Sequence, residues 1–316
     1  MYYLILLKIY KKKAMDNTKP KIIITGGMGF VFSHVTEYFV DKGWEVIVID
    51  DLSTGSHPEI NDGSFKLVEK DCADTEIQDL IIKENPDYII HGAAISSVDF
   101  SIKDPEYTLK QNILGTINVF EASRFCSNLK KLLYVSTDEV YGECEELKDE
   151  TSIIFPKNPY SASKAVGSLL RLAYDNTFLD IKNKTCETRF CNVFGDRQDN
   201  RKILPLIKEC IETGKVLPLH NGGSAYREYI YVKNIPPLME LLLEKGDRTY
   251  NVTLNEGFTV TELIQKCQDV TGKTIEVTES HRPGMDMKYQ MDATRLKDLG
   301  WQPLYNFEQG LKEYLC

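Results

Sequence analysis

The chain has 316 residues, 42% hydrophobic and 27% charged, the mix of a folded protein with a sizeable core, which excludes a mainly disordered chain. Its 47 acidic and 38 basic side chains leave a formal charge of -9, the wrong sign for a nucleic-acid surface. Eight cysteines and five histidines are scattered without a CxxC pair, so no metal centre and no disulfide framework is expected, and reduced thiols of a cytoplasmic protein are.

The first ten residues, MYYLILLKIY, are apolar, and Lys11, Lys12 and Lys13 follow them. The run is too short to cross a bilayer, and a secretory signal would carry its positive charge ahead of the apolar stretch. No membrane partner is expected. Met15 offers a second start just before the first strand pattern, so residues 1–19 are expected to lie outside the fold, as an extension.

Apolar, β-branched runs then recur at Lys21–Thr25, Glu45–Asp50, Lys66–Glu69, Asp87–Gly92 and Lys131–Ser136, with helical stretches between most of them. Continuous apolar strands alternating with helices predict a parallel sheet covered on both faces. Two long helices are predicted, over Pro105–Ser127 and over Pro159–Phe178, the second with proline near its start. Beyond Arg189 shorter strands (Arg227–Val232, Thr249–Val252, Thr274–Val277) mix with helices near 203–212, 234–245, 259–270 and 306–315. The expected architecture is α/β: a Rossmann-type doubly wound parallel sheet over 20–195, with a return near 226–250, and a smaller mixed α/β substrate lobe over 196–316.

Thr25-Gly26-Gly27-Met28-Gly29 stands between the first strand and the first helix. Glycines there let the backbone approach a pyrophosphate, and the helix N-terminus supplies N–H groups and a positive dipole end. Asp50 ends the second strand, 21 residues after Gly29. A carboxylate at that point accepts ribose hydroxyls and repels a 2′-phosphate, which favours NAD over NADP. The GxxGxxG spacing would place a third glycine at position 32, where this chain has Phe32. That side chain must displace the helix or find a pocket of its own, and either could weaken cofactor binding.

Tyr160 and Lys164 are four residues apart at the start of the second long helix, so they share a face. A nearby ammonium and a positive nicotinamide ring would favour the phenolate, making Tyr160 a base toward a sugar hydroxyl. Thr137, Asp138 and Glu139 follow the fifth strand, at the sheet edge that borders the ligand crevice in open α/β folds. Thr137 offers a hydroxyl to a substrate oxygen, and two carboxyl groups stand beside it. A solvated acidic turn is the competing reading of that triplet.

Taken in order, TGGMGF (25–30), HGAAISSVDFSI (91–102), QNILGT (111–116), STDEVYG (136–142), NPYSASK (158–164), RFCNVFG (189–195), REYIYV (227–232), RPGMD (282–286) and LGW (299–301) give the chain a resemblance. It resembles the extended short-chain dehydrogenase/reductase family, and within it the nucleotide-sugar 4,6-dehydratases of the dTDP-glucose 4,6-dehydratase type. The resemblance implies a lyase that converts a dTDP- or UDP-hexose to its 4-keto-6-deoxy form with retained NAD. It implies Thr137, Tyr160 and Lys164 as the redox centre, Asp138 as general acid and Glu139 as general base. It places Gly26, Gly29, Phe30, Asp50, Asp71, Ala93 and Ala94, with Tyr160 and Lys164, around the cofactor. It makes Asn192, Arg227 and Arg282 ligands of the nucleotide diphosphate, and it implies a homodimer paired through the two long helices. Departures from the family pattern are Phe32, the charged stretch 196–201, Lys233, Met285 and the turn Asp51–Gly55. A UDP-sugar 4-epimerase or decarboxylase on the same scaffold is the nearest alternative. A catalytically silent dinucleotide binder is the other.

Overall fold

The computed structural model describes residues 19–281 and 286–316. The chain runs through β1 (Lys21–Thr25), α1 (Phe30–Asp41), β2 (Glu45–Asp50), β3 (Lys66–Glu69), α2 (Glu76–Glu84), β4 (Tyr88–His91), α3 (Val98–Lys103), α4 (Pro105–Arg124) and β5 (Lys131–Thr137). It continues through α5 (Pro159–Thr177), β6 (Thr185–Phe190), β7 (Asn192–Phe194), α6 (Ile203–Thr213), β8 (Leu217–His220), β9 (Tyr226–Tyr231), α7 (Ile235–Lys245) and β10 (Thr249–Val252). β11 (Gly257–Thr259), α8 (Val260–Thr271), β12 (Val277–Ser280), α9 (Thr294–Asp298) and α10 (Phe307–Leu315) complete it.

Among the described residues, seven strands form one sheet in the order β10-β6-β5-β4-β1-β2-β3, with parallel neighbours throughout. Its strands are apolar on both faces because both faces are covered. Ile22, Ile24, Val46 and Val48 pack with Val35 and Phe39 of α1 and Leu238 and Leu242 of α7. Ile23, Ile47 and Ile49, which alternate with them, pack with Ile77 and Ile81 of α2 and Val119 and Phe120 of α4. This is the Rossmann-type α/β architecture.

β6 escapes a search for apolar runs because its sequence, TCETRF, carries charge into the interior. Glu187 is fully buried, its carboxylate bonded to Arg171 Nε (3.3 Å), Arg189 Nε (2.9 Å) and the Ser168 hydroxyl (2.6 Å). Arg171 and Ser168 lie on α5, so the ion network fastens that helix to the sheet. A buried carboxylate shared by two guanidiniums is tolerated because each partner offsets the other's desolvation.

The smaller lobe holds a three-stranded sheet, β11-β9-β7, and the parallel pair β8–β12. Its core gathers Phe194, Leu204, Ile207, Tyr229, Tyr231, Phe258, Leu263, Phe307 and Leu311. The strand expected at Thr274–Val277 lies three residues later, as β12, where Val277 pairs with Leu217. Met291, Ala293, Leu296 and Trp301, which a simple division of the chain gives to this lobe, pack instead in the core beneath α1 and α7. No helix among the described residues is long and apolar enough to cross a membrane. The N-terminal stretch 1–18 lies outside the described residues.

Candidate active site

The strand order reverses at β1, with β2 on one side and β4 on the other, so a crevice opens at the carboxyl ends of β1 and β4. Gly26 sits there with φ +71, and a Cβ on it would come within 2.8 Å of the Ala93 backbone. Only glycine fits both the left-handed backbone and the close approach. Gly29 caps α1 without offering a side chain, leaving the helix N-terminus open toward the crevice. Phe30 follows as the first helical residue and reaches the core of the smaller lobe.

Asp50 ends β2. Its two oxygens accept from Met28 N (3.0 Å) and Leu52 N (2.9 Å), and burial raises its carboxyl above the usual range. Asp71, just past β3 on the same sheet edge, accepts from Ala73 N (2.8 Å). Ala93 N donates to Thr25 Oγ1 (3.2 Å), and Ala94 follows it along the crevice. His91, bonded to Thr25 and Thr116, is pushed down to about 3 by burial and stays neutral.

Phe32 finds a pocket of its own. It is 7% exposed, and a Cβ at Gly92 would lie 2.4 Å from its ring. The bulk added at the third-glycine position occupies the space that a side chain at 92 would fill.

The chemistry-bearing cluster forms where β5 ends and α5 begins. Thr137 Oγ1 donates to Asp138 Oδ1 (3.0 Å), accepts from Glu139 N (3.3 Å) and faces the Tyr160 phenol. Lys164, one turn further along α5, is buried with its ammonium 4.7 Å from the centre of the Tyr134 ring. Burial pushes Lys164 down to about 7, with Glu187 opposing. The phenol of Tyr160 is held in its protonated form by its protein surroundings, so the phenolate expected from the sequence depends on the positive nicotinamide ring as well as on Lys164. Burial, and then Glu139 and Asp138, push the phenol upward, against the Thr137 hydroxyl.

Burial raises both carboxyl groups. Burial, then the neighbouring Glu139, push Asp138 up to about 7. Glu139 is also raised by burial, but Asn158, Arg227 and Lys202 pull it back.

Arg227 lies on β9 within electrostatic reach of both carboxyls. Its guanidinium donates to Tyr226 O (2.8 Å) and Asp286 O (2.7 Å) and stacks on the Tyr289 ring at 4.6 Å. Asn192, exposed on β7, donates to Glu228 O (3.3 Å). Arg282 lies outside the described residues. Asn158, Lys202, Glu228 and Tyr289 belong to this neighbourhood and escape sequence reasoning. Glu228 is buried, pushed up to about 7 by burial, and accepts from Met291 N (2.9 Å). Only the Asn-Pro start of α5 could have drawn attention to any of them.

The sequence profile of the family described as GDP-mannose 4,6 dehydratase matches residues 23–314. The trifunctional UDP-glucose 4,6-dehydratase/UDP-4-keto-6-deoxy-D-glucose 3,5-epimerase/UDP-4-keto-L-rhamnose-reductase RHM2 of Arabidopsis thaliana is 35% identical over 95% of this chain and 47% of its own length. The chain thus spans about half the length of the plant relatives it matches. The dTDP-glucose 4,6-dehydratase of Xanthomonas campestris is 32% identical, covering 92% of this chain and 90% of its own. The UDP-glucose 4-epimerase of Thermus thermophilus, solved in complex with NAD, superposes with a TM-score of 0.86 at 30% identity, over 93% of this chain and 97% of that one.

Proposed function

The chain belongs to the GDP-mannose 4,6 dehydratase family, and on that premise we propose that it is an NAD-dependent nucleotide-sugar 4,6-dehydratase acting on dTDP- or UDP-glucose. The observation that carries the reading is the pair beside Thr137: the buried Asp138 carboxyl, bonded to the Thr137 hydroxyl and pushed up to about 7, next to Glu139, which accepts from Asn158.

The residues present fit NAD. A Cβ-free turn at Gly26, an open helix end at Gly29 and a buried carboxylate at Asp50 suit a pyrophosphate and a ribose without a 2′-phosphate. Gly26, Gly29, Phe30, Asp50, Asp71, Ala93 and Ala94 would hold it, with Tyr160 and Lys164 toward the nicotinamide end. When bound it supplies a hydride acceptor for C4 of the hexose and a donor for C6, so it is not consumed.

Thr137 holds the C4 oxygen, and Tyr160 receives that hydroxyl's proton. The C4 ketone acidifies the C5 proton, which Glu139 removes while Asp138 protonates the departing C6 hydroxyl, and water leaves. Glu139, once its proton has exchanged with solvent, delivers a proton to C5. The net change is loss of one water. Each turnover leaves Tyr160 one proton richer and Asp138 one poorer, and the Thr137 hydroxyl stands between them. Asn192 and Arg227, with Arg282, serve the nucleotide diphosphate, and a guanidinium fork suits phosphate oxygens.

A 4-epimerase is the second reading, favoured by the likeness to the Thermus enzyme. An epimerase has no use for an acid and a base beside Thr137, which supports dehydration. The test is to incubate the protein with dTDP-glucose and UDP-glucose and measure the alkaline absorbance of a 4-keto product. A 4-epimer without a keto product from either sugar would overturn the dehydratase reading.

A homodimer belongs to the same proposal. Tyr107 and Leu114 on α4 and Leu169 and Leu172 on α5 are exposed apolar residues of two helices that pack together, which suits pairing across a two-fold axis. Replacing Leu169 and Leu172 by Glu and measuring mass by sedimentation tests this. All eight cysteines are free thiols, seven of them buried, which suits the reducing cytoplasm.

A further inference from the structure

Asn158 makes two sets of contacts that are normally made by different residues. It is the N-cap of α5, where its Oδ1 accepts from Ser161 N (2.8 Å) while the Ser161 hydroxyl accepts from Asn158 N (3.2 Å). Its Nδ2 donates to Glu139 Oε2 (2.9 Å). The orientation of the amide is settled by chemistry. A backbone N–H can only donate, so the amide atom facing Ser161 must be the oxygen, and the NH2 group must face the carboxylate. Serine, threonine and aspartate cap helices as well as asparagine does, but none of them can also donate an amide N–H to a carboxylate across the gap.

We propose that Asn158 is a positioning residue for the dehydration step, holding Glu139 in its carboxylate form and fixing it to the helix that carries Tyr160. The inference rests on the role of Glu139 as the C5 base. One side chain thereby ties the base, on the turn after β5, to the phenol two residues further along α5. The capping bonds hold the amide still, so the donor is in place before substrate arrives. A hydrogen bond to the charged form of a carboxyl favours that form, which is what a base needs when burial opposes it.

The sign follows directly. Elimination fails as pH falls and Glu139 gains a proton. Removing the donor makes Glu139 easier to protonate, so the acid limb of elimination moves to higher pH.

The test uses Asn158→Ser, which keeps a cap oxygen but has no amide, and Asn158→Asp, which keeps the cap and sets a second carboxyl against Glu139. The substrate is dTDP- or UDP-glucose, whichever the wild type converts. Two readings are taken across pH: keto product formed, and solvent deuterium found at C5 of the product in D2O. Melting temperature reports the cap. Asn158→Ser is expected to melt near the wild type and to shift the acid limb up by about one pH unit, slowing elimination roughly tenfold below that limb. Asn158→Asp is expected to shift it further. If Asn158→Ser melts early, Asn158→Asp, with its cap intact, decides the matter. An acid limb that stays in place in the cap-retaining variant overturns the role given to Asn158. Glu139→Gln separates this from the underlying reading: if that variant still eliminates, the base has been misassigned, whatever Asn158 does.

Discussion

Restoring the glycine that position 32 lacks should harm this protein. Phe32 is 7% exposed and lies against Gly92, where an added Cβ would stand 2.4, 2.5 and 2.9 Å from three ring carbons. Carbon atoms rest about 3.5–4.0 Å apart, so Gly92→Ala requires the ring to withdraw by about 1 Å or more. Overfilling a packed core in this way costs about 1–3 kcal/mol. Emptying the same space by Phe32→Ala costs about 3–5 kcal/mol. For a chain of this size about 2 °C of melting temperature corresponds to 1 kcal/mol. Gly92→Ala should therefore melt about 2–6 °C early and Phe32→Ala about 6–10 °C early. In the double variant the new Cβ sits in vacated space, so the penalty of Gly92→Ala should vanish. Scanning calorimetry of these four proteins and of Phe32→Gly measures this, and NAD released on denaturation reports the site, since Ala93 abuts Gly26. Equal losses from Gly92→Ala in both backgrounds, or a Phe32→Gly protein that melts later and holds more NAD, would refute the reasoning.

The remaining predictions concern chemistry and support. Activity should be bell-shaped in pH: it falls on the acid side as Glu139 is protonated and on the alkaline side above about 7 as Asp138 loses its proton, and Asp138→Asn should remove the alkaline limb from kcat/KM. Tyr160→Phe should abolish oxidation at C4, seen as absent absorbance change at the nicotinamide on mixing with substrate. Glu139→Gln should leave that oxidation in place and slow elimination by about 10²–10⁴-fold, read in the two half-reactions separately. Glu187→Gln strands Arg171 and Arg189 in the interior and should cost about 3–5 kcal/mol in urea denaturation; a loss below 1 kcal/mol would show that the network does not hold α5.

Most strands of the large sheet were legible because each is a continuous apolar run between helical stretches, and a parallel sheet buried on both faces requires that pattern. β6 was not, since Glu187 and Arg189 pair with partners brought from elsewhere in the chain. α5 was legible with Pro159 near its start. The bond from Asn158 to Glu139 was not, since it joins residues 19 positions apart and exists only once β5 and α5 are packed.

The sequence by itself determined the alternation of strands and helices, the glycine turn with Asp50, and the presence of a Thr-Asp-Glu triplet and a Tyr–Lys pair. These are local properties of spacing and side-chain type. Only the tertiary structure set the surroundings of the two carboxyls, because these depend on burial and on Arg227, Lys202 and Asn158 arriving from separate segments. Only it decided where Phe32 fits, because its space is supplied by Gly92, 60 residues away just past the carboxyl end of β4. And only it showed how deeply Tyr160 and Lys164 are desolvated, which pushes the phenol up and the ammonium down to about 7, because burial is set by segments that pack from elsewhere in the chain.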